Sequence, residues 1–330
     1  MSAGDEEARI ALLCRLFAGP DARERGALVE VDLGDDAAVL APCVGREVLS
    51  VDAHVEGVHF RRAWLGTREI GARAASAALS DLAAMGAEPR AVLLSLALPM
   101  SFGDEDLEAL ALGVREASEE VGARVIGGNL TRAGELSLHT TVVGRMAERP
   151  MRRAGAEPGH AVYVTGTVGA AALGLAVLEE DAMARAPELF GPFVGRWKRP
   201  RPRVSEGRRV VELASAAIDV SDGLAVDLAR LARAGGVGVE LEAGELPLER
   251  AHAHAAACMG RDPLALALFG GEDYELAFTA PETRSLSRLA TRVGVVVAPP
   301  GVRVRLPGGR LAAADELGRG FDHFRSRSSA

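Results

Sequence analysis

The sequence has few of the residues on which several large enzyme classes depend. Of its 38 basic residues only Lys198 is a lysine, and Arg199 follows it. A Walker A phosphate loop requires Gly-Lys followed by Ser or Thr, so this chain contains none. A protein-kinase site requires its own strand lysine and loop signatures, which are also missing. If the chain binds phosphate groups, it does so without these lysine-based motifs.

Cysteines and long apolar runs are equally scarce. Cys14, Cys43 and Cys258 have no CxxC spacing, which argues against a disulfide framework or a zinc ribbon and favours a reducing cytoplasm. The acidic N-terminus does not resemble a signal peptide, and no run of about 18 uncharged apolar residues predicts a membrane span. The formal net charge of −8 argues against a nucleic-acid partner. We therefore expect a cytoplasmic protein that binds neither membranes nor nucleic acid.

What the chain does contain is typical of an ordinary globular protein. A length of 330 residues, 48% of them apolar, suggests two domains with a core each. Short β-like runs alternate with helical stretches, which predicts an α/β (mixed α+β) fold. The composition shifts to proline and arginine at 147–159, so we expect one domain over 1–148 and another over 149–330.

Four local predictions bear on the site. The spacing predicts a strand over 47–53 and a helix over 67–85, with Thr67 as N-cap and Gly86 as the C-terminal stop. The segment GGNLTRAGE (127–135) is typical of a turn between two strands. A last helix is predicted over 282–293.

Acidic residues at strand ends and in glycine-rich turns are the informative group. Any one cluster is explained by a helix cap or an Asx-turn, but several together suit Mg²⁺, which prefers oxygen ligands and bridges carboxylates to phosphates. Ser221 or Asp222 also has an ordinary interpretation as a helix cap. The clusters are Asp35–Asp36, Asp52, Asp81, Asp219 with Asp222, and Glu272–Asp273.

Asp81 is the carboxylate that is hardest to explain by its local sequence. It shares a predicted helix face with small and apolar residues such as Ile70 and Ala77, which suggests burial. A buried carboxylate is paired, protonated or bound to metal. An ion pair with Arg73 or Arg90 and a metal site are both consistent with the spacing.

Read in order, the motifs resemble one family. The chain contains GDDAAVL, SVDAHVEGVHF, ALSDLAAMGAEP, GGNLTR, RAGAEPGHAVYVTGTVG, RPRPRV, IDVSDGL, GGEDYELAFT and GFDHF. This series, from about residue 30 to residue 324, closely resembles bacterial thiamine-monophosphate kinases, of the superfamily that includes aminoimidazole-ribonucleotide synthetase and selenophosphate synthetase. VEGVHF, LSDLAAMGA and GGEDYEL together are specific to the kinases, whereas one fragment identifies at most the superfamily.

The resemblance implies a fold, an activity and partners. It implies an N-terminal domain that binds ATP and Mg²⁺ and forms a homodimer through its sheet, and a C-terminal domain that completes the substrate cleft. The activity is transfer of the γ-phosphoryl group of ATP, the co-substrate, to thiamine monophosphate with the help of several Mg²⁺ ions. No catalytic base is implied, because the acceptor is already an anion.

The resemblance also implies three sets of site residues. The metal ligands are Asp36, Ser50, Asp52, Asp81, Asn129, Asp219 and Asp222. The ATP-binding residues are Gly128, Asn129, Arg153 and Ser221. The residues on the thiamine-phosphate side are His59, Glu272 and Phe321.

Two positions depart from the family pattern. Asn129 replaces the aspartate of the family sequence GGDTTR, and Val51 stands where threonine is usual. Asn129 retains a carbonyl oxygen but loses the charge, so we expect one Mg²⁺ to bind more weakly. Two alternatives follow: a nucleotide-binding homologue with weakened catalysis, or another ATP-dependent enzyme of the same superfamily. Retention of the other carboxylates, together with VEGVHF and GFDHF, favours the kinase.

Overall fold

The chain divides into two compact units, Met1–Pro150 and Met151–Ala330. A computed structural model describes residues 6–18, 27–147, 149–283 and 286–320. Both units combine helices with mixed sheets, so the predicted α/β (mixed α+β) class is confirmed. No helix in the described part of the chain has the length and apolar character needed to cross a membrane.

Unit 1 places two long helices against a four-stranded sheet. Its helices are α1 (Glu6–Ala18), α2 (Thr67–Ala84) and α3 (Asp104–Glu120), and its strands are β1 (Val29–Val31), β2 (Val39–Leu40), β3 (Arg46–Val55), β4 (Glu88–Leu98), β5 (Arg124–Arg132) and β6 (Ser137–Met146). The order in the larger sheet is β3-β6-β4-β5, with β4 and β5 parallel and the other pairs antiparallel. Buried side chains such as Ile70 and Leu79 of α2, Leu107 of α3 and Leu96 of β4 form the core.

Unit 2 is built on a sheet in which, among the described residues, seven strands follow the order β13-β12-β9-β11-β7-β10-β8. The strands are β7 (Ala161–Val164), β8 (Ala216–Val220), β9 (Gly238–Glu242), β10 (Glu275–Ala280), β11 (Thr291–Val297), β12 (Gly301–Arg305) and β13 (Leu311–Ala313). The helices are α4 (Ala170–Glu179), α5 (Pro187–Lys198), α6 (Val204–Val210), α7 (Leu224–Gly235), α8 (His252–Cys258), α9 (Pro263–Phe269) and α10 (Ala314–Leu317), with short 3-10 turns at Met183–Arg185, Ala243–Glu245 and Leu286–Arg288. Leu224, Leu228 and Leu231 of α7 pack with Val239 and Leu241 of β9 in one apolar cluster.

Three local predictions were wrong. The GGNLTR segment continues strand β5 to Arg132 instead of turning, because a glycine pair also permits close strand approach: a Cβ on Gly128 would lie 1.9 Å from the carbonyl oxygen of Leu94. The last three residues of the predicted helix 282–293 belong instead to strand β11 (Thr291–Val297), consistent with the β-branched run in RVGVVV. Helix α2 begins at Thr67 as predicted but its N-cap is Gly66, whose N–H donates to the Glu69 carboxylate.

Candidate functional site

In unit 1 the sheet and α2 bring a hydroxyl and a carboxylate together. Ser50 and Asp52 are two residues apart on β3 and therefore share one face of the strand. The Ser50 hydroxyl donates a hydrogen bond to Asp81 Oδ2 on α2 at 2.5 Å. Asp81 is half-buried rather than buried, while Ile70 and Ala77 on its helix face are buried. The geometry therefore assigns Asp81 a hydroxyl partner, and Arg90, the alternative cation, donates to the Ala41 carbonyl.

Two histidines extend this cluster. His54, 2% exposed, follows Asp52 on the same face of β3 and stacks on His59 with ring centroids 5.3 Å apart. Burial, and then the charges of Arg73 and His59, lower the pKa of His54 well below its usual range. The Val55 N–H donates to His59 Nδ1 at 3.1 Å, so the proton of the neutral His59 ring is on Nε2. That N–H can donate a hydrogen bond to an anion.

Asn129 lies on the other face of the same sheet. The register pairs Asn129 with Ser95, Ser95 with His139, and His139 with Ala53, the neighbour of Asp52. Because paired residues point to the same side and successive residues to opposite sides, Asn129 and Asp52 lie on opposite faces. The fold of this unit therefore does not bring Asn129 to the Asp52 and Asp81 carboxylates.

Three further predicted site residues are exposed: Asp36 and Gly128 in unit 1, and Arg153 at the start of unit 2. Asp36 lies in the turn before β2, where the Asp35 carboxylate accepts its N–H at 2.8 Å. Gly128 is exposed on β5, and Arg153 is exposed in the loop at the start of unit 2. Phe321 lies outside the described residues.

In unit 2 two of the sequence motifs meet. The loop that carries Glu272 runs beside the end of β8: the Glu272 N–H donates to the Ser221 carbonyl at 2.7 Å, and the Tyr274 N–H donates to the Val220 carbonyl at 2.9 Å. Both donors have left-handed backbone angles, with φ of 74° at Glu272 and 52° at Tyr274. Such a conformation costs about 1–2 kcal/mol for a residue with a side chain, and these hydrogen bonds offset part of it. The fold thus places Asp219, Ser221, Asp222 and Glu272 close together in the chain's second unit.

Asp227 and Arg230 belong to this cluster although the sequence analysis did not identify them. Asp227 Oδ2 accepts the N–H groups of Ser221 and Asp222, both at 3.0 Å. Arg230 Nη1 lies 2.6 Å from Asp227 Oδ1 and 2.6 Å from Asp222 Oδ2. Burial raises the pKa of Asp227 to about 6. The spacing of Asp227 and Arg230, three residues apart on one helix, was the available signal, but it is common on helix surfaces.

Two further acidic residues of the GGEDYEL motif support the loop. Asp273, 5% exposed, accepts the N–H groups of Gly169 and Ala171 at the start of α4, and burial raises its pKa to about 7. Glu275 is fully buried and accepts from Arg196 at 2.7 Å and from the Nε of Arg203 at 2.6 Å. These contacts explain the last arginine of RPRPRV as a partner of Glu275.

An open pocket adjoins this loop. It has a volume of about 440 Å³ and is lined by residues that include Phe269, Gly270, Gly318 and Arg319. Gly270 directly precedes the Gly271–Glu272 turn, and Arg319 stands two residues before Phe321. Phe269 and Arg319 contribute an aromatic ring and a guanidinium group to the lining, and Glu272 follows Gly270 by two residues in the chain.

The donor set fits Mg²⁺ that is shared with phosphate groups. Within the described ranges, no three histidine, cysteine or acidic side chains converge into a complete metal cage. Mg²⁺ is usually held by one or two carboxylates, water and substrate phosphates rather than by such a cage. Asp52 and Asp81 provide two such carboxylates in unit 1, and Asp219 and Asp222 provide two in unit 2.

Comparisons with known proteins match both units. Residues 34–146 match the family described as AIR synthase related protein, N-terminal domain, and residues 157–307 match its C-terminal domain. The thiamine-monophosphate kinase of Rhodopirellula baltica is 36% identical, covering 84% of this chain and 87% of the relative, and that of Bacillus subtilis is 33% identical, covering 90% and 94%. A solved structure of AaThiL complexed with AMPPCP and TMP is 33% identical with a TM-score of 0.79, covering 88% of this chain and 91% of the other.

Proposed function

Because the chain belongs to the thiamine-monophosphate kinase family, we propose that it transfers the γ-phosphoryl group of ATP to the phosphate of thiamine monophosphate, giving thiamine diphosphate and ADP. The observation that carries the proposal is the likeness, over 88% of the chain, to a relative complexed with AMPPCP and TMP. The retained acidic clusters of both units support it.

The chemistry requires charge neutralisation more than proton transfer. The acceptor is already a phosphate anion, so catalysis depends on holding two anions in line. Mg²⁺, when bound, supplies the positive charge that lets them approach. The proposed ligands remain Asp36, Ser50, Asp52, Asp81, Asn129, Asp219 and Asp222, with Asn129 assigned to a different ion from Asp52 and Asp81 because it lies on the opposite face of the sheet. The Ser50 hydroxyl donates to Asp81 Oδ2, so its first role in this proposal is to orient that carboxylate.

The substrate residues follow from their polar groups. His59 presents an Nε2–H donor, which suits the phosphate of thiamine monophosphate. Glu272 supplies a negative charge and Phe321 an aromatic ring, which suit the cationic, aromatic thiamine. Gly128, Asn129, Arg153 and Ser221 are the proposed ATP-binding residues.

We further propose that the enzyme is a cytoplasmic homodimer that pairs through the sheet of unit 1. Leu49 and Val51 on edge strand β3 are 64% and 65% exposed, and the register continues their face to Thr141 and to Leu93, which is 36% exposed. An apolar sheet face of this kind is typical of an interface. The three cysteines are free, which suits a reducing compartment.

ADP release measured with thiamine monophosphate, with thiamine and with no added acceptor tests the reaction. With Mg²⁺ and ATP we expect rapid ADP formation with thiamine monophosphate, and only background with thiamine or with no acceptor. Asp81→Asn should reduce the rate on the order of a hundredfold, because one preorganised charge at the reacting phosphates is lost. Glu108→Gln, at an exposed position of α3, is the matched control and should retain the rate. Equal rates with all acceptors would reject the proposal.

A further inference from the structure

The turn Ser221–Asp222 is held by a residue outside the motif that forms it. Asp227 is 1% exposed, and its Oδ2 accepts both backbone N–H groups of the turn. On the other side, the Ser221 carbonyl accepts the Glu272 N–H. Both backbone N–H groups of the turn are therefore already hydrogen-bonded to Asp227. The Asp222 side chain is the charged group that the turn presents.

Arg230 links the same two carboxylates. Its Nη1 contacts Asp227 Oδ1 and Asp222 Oδ2 at the same distance, 2.6 Å. The Asp222 side chain is 24% exposed and that of Arg230 is 40% exposed, so solvent can reach this pair, whereas Asp227 is enclosed. Arg230 thus has one permanent partner in Asp227 and one partner, Asp222, that is accessible to a cation from solution.

We propose that Asp227 is a positioning residue for the Ser221–Asp222 turn and that Arg230 is a counter-ion which competes with a divalent cation for Asp222. The inference rests on the proposed function, in which Asp222 is a metal ligand. Asp227 fixes where the carboxylate stands, and Arg230 sets how strongly it attracts the ion. A guanidinium this close to a ligand opposes a second positive charge, although partial exposure screens the effect.

The two residues consequently have opposite effects on metal affinity. Arg230→Met removes the competing charge and leaves two carboxylates near each other, so Mn²⁺ should bind about threefold to tenfold more tightly. Arg230→Lys keeps the charge and should bind Mn²⁺ much as the natural protein does. Asp227→Asn removes the charge on Arg230's permanent partner and disturbs the turn, so Mn²⁺ should bind more weakly. If Asp227 and Arg230 merely supported the fold, Asp227→Asn and Arg230→Met would both weaken Mn²⁺ binding.

The experiment is a titration of the full chain with Mn²⁺, in which electron paramagnetic resonance counts the free ion without ATP or thiamine monophosphate. Arg233→Met, an exposed arginine one turn along α7, is the matched control and should not change the affinity. Asp222→Asn should abolish the difference between Arg230→Met and the natural residue, because the effect acts through Asp222. Circular dichroism verifies that each variant is folded. If Asp227→Asn does not fold, the variants at the half-exposed Arg230 still test the proposal.

Two results would overturn the inference. Weaker Mn²⁺ binding by folded Arg230→Met would show that Arg230 only supports Asp222. A gain that persists in the Asp222→Asn background would show that it acts elsewhere. Because the readout needs neither substrate nor turnover, failure of this inference is distinguishable from failure of the proposed kinase activity, which the acceptor comparison tests.

Discussion

His252 is a residue whose protonation the fold opposes. It is 1% exposed at the start of α8, where its Nε2 lies 3.3 Å from the Gly169 carbonyl and its ring meets Phe193 edge-on. Among the described residues no partner lies within hydrogen-bond reach of its Nδ1. Burial lowers the pKa of His252 below 6.5, despite the favourable contributions of the Gly169 carbonyl and Glu249.

The lowered pKa predicts a loss of stability in acid. The unfolded chain binds a proton at His252 more readily than the native chain does, so this contribution is present above about pH 6.5 and is lost as the pH falls below it. His252→Gln removes the titration while keeping a side-chain N–H. Urea unfolding at about pH 8 and about pH 5.5 should show a smaller loss for this variant than for the natural protein. Parallel losses in both proteins would contradict the assignment.

Substitutions at Asn129 test whether this departure from the family pattern affects the Mg²⁺ requirement. Asn129→Asp restores a carboxylate, and we expect the Mg²⁺ concentration for half-maximal rate to fall several-fold, because a charged oxygen binds this ion better than a carboxamide. Asn129→Ala should raise it. If the natural protein and both variants required the same Mg²⁺ concentration, Asn129 would be excluded from the metal site. Its position on the sheet face opposite to Asp52 would then explain that result.

Single residues also show what sequence reasoning could reach. The motifs singled out Asp81, Asp222 and Glu272 as site residues, since carboxylates stand there at recognisable spacings, and their roles stay predictions. Asp227 and Arg230 were missed because their partners are defined by the path of the backbone through the Ser221–Asp222 turn, not by their own spacing. The sheet face on which Asn129 lies could not be predicted from the sequence either, because it depends on strand register.

At the scale of the element, helices α2 and α3 pack at unusually short range through two glycines. A Cβ on Gly113 would lie 1.9 Å from the Arg68 carbonyl oxygen, and one on Gly71 would lie 2.1 Å from the Leu110 carbonyl oxygen. In both cases the obstacle is backbone of the facing helix, which cannot rotate away. This packing holds α2, and with it Asp81, against the sheet.

Gly113→Ala should therefore destabilise unit 1. We expect the free energy of unfolding to fall by about 1–3 kcal/mol or more, since the helices must separate to admit the methyl group. Gly134→Ala is the matched control, because a Cβ there has nothing within 4 Å, and its stability should be unchanged or slightly higher. Equal stability of the two variants in denaturant titrations would contradict the close packing.

Elements with a strong local pattern were predictable and others were not. Strand β3 and helix α2 follow clear apolar periods, and their predicted spans agree with the structure to within a few residues. Strand β5 was missed beyond Ile126 because its glycines serve close strand packing, and β11 was missed because a short apolar run fits either structure. Helices α5 and α9 begin at prolines, the position where a missing backbone N–H costs a helix least.

At the scale of the whole molecule, the proposed homodimer depends on an apolar sheet face. Val51→Asp places a charge in the centre of that face, and we expect sedimentation to show a monomer because a buried unpaired charge is costly. Leu213→Asp, at a partly exposed position of unit 2, should leave the dimer intact. A Val51→Asp protein that remains dimeric would place the interface elsewhere.

The central claim concerns the fate of one phosphoryl group, and it is tested most directly with ATP labelled in the γ-phosphate. The protein is incubated with labelled ATP, Mg²⁺ and thiamine monophosphate, and the products are separated by chromatography. We predict that the label passes into thiamine diphosphate, with one ADP formed for each labelled product. Label recovered as inorganic phosphate, with no labelled thiamine diphosphate, would contradict the account, since hydrolysis or a ligase-type reaction of the same superfamily would release phosphate instead of transferring it.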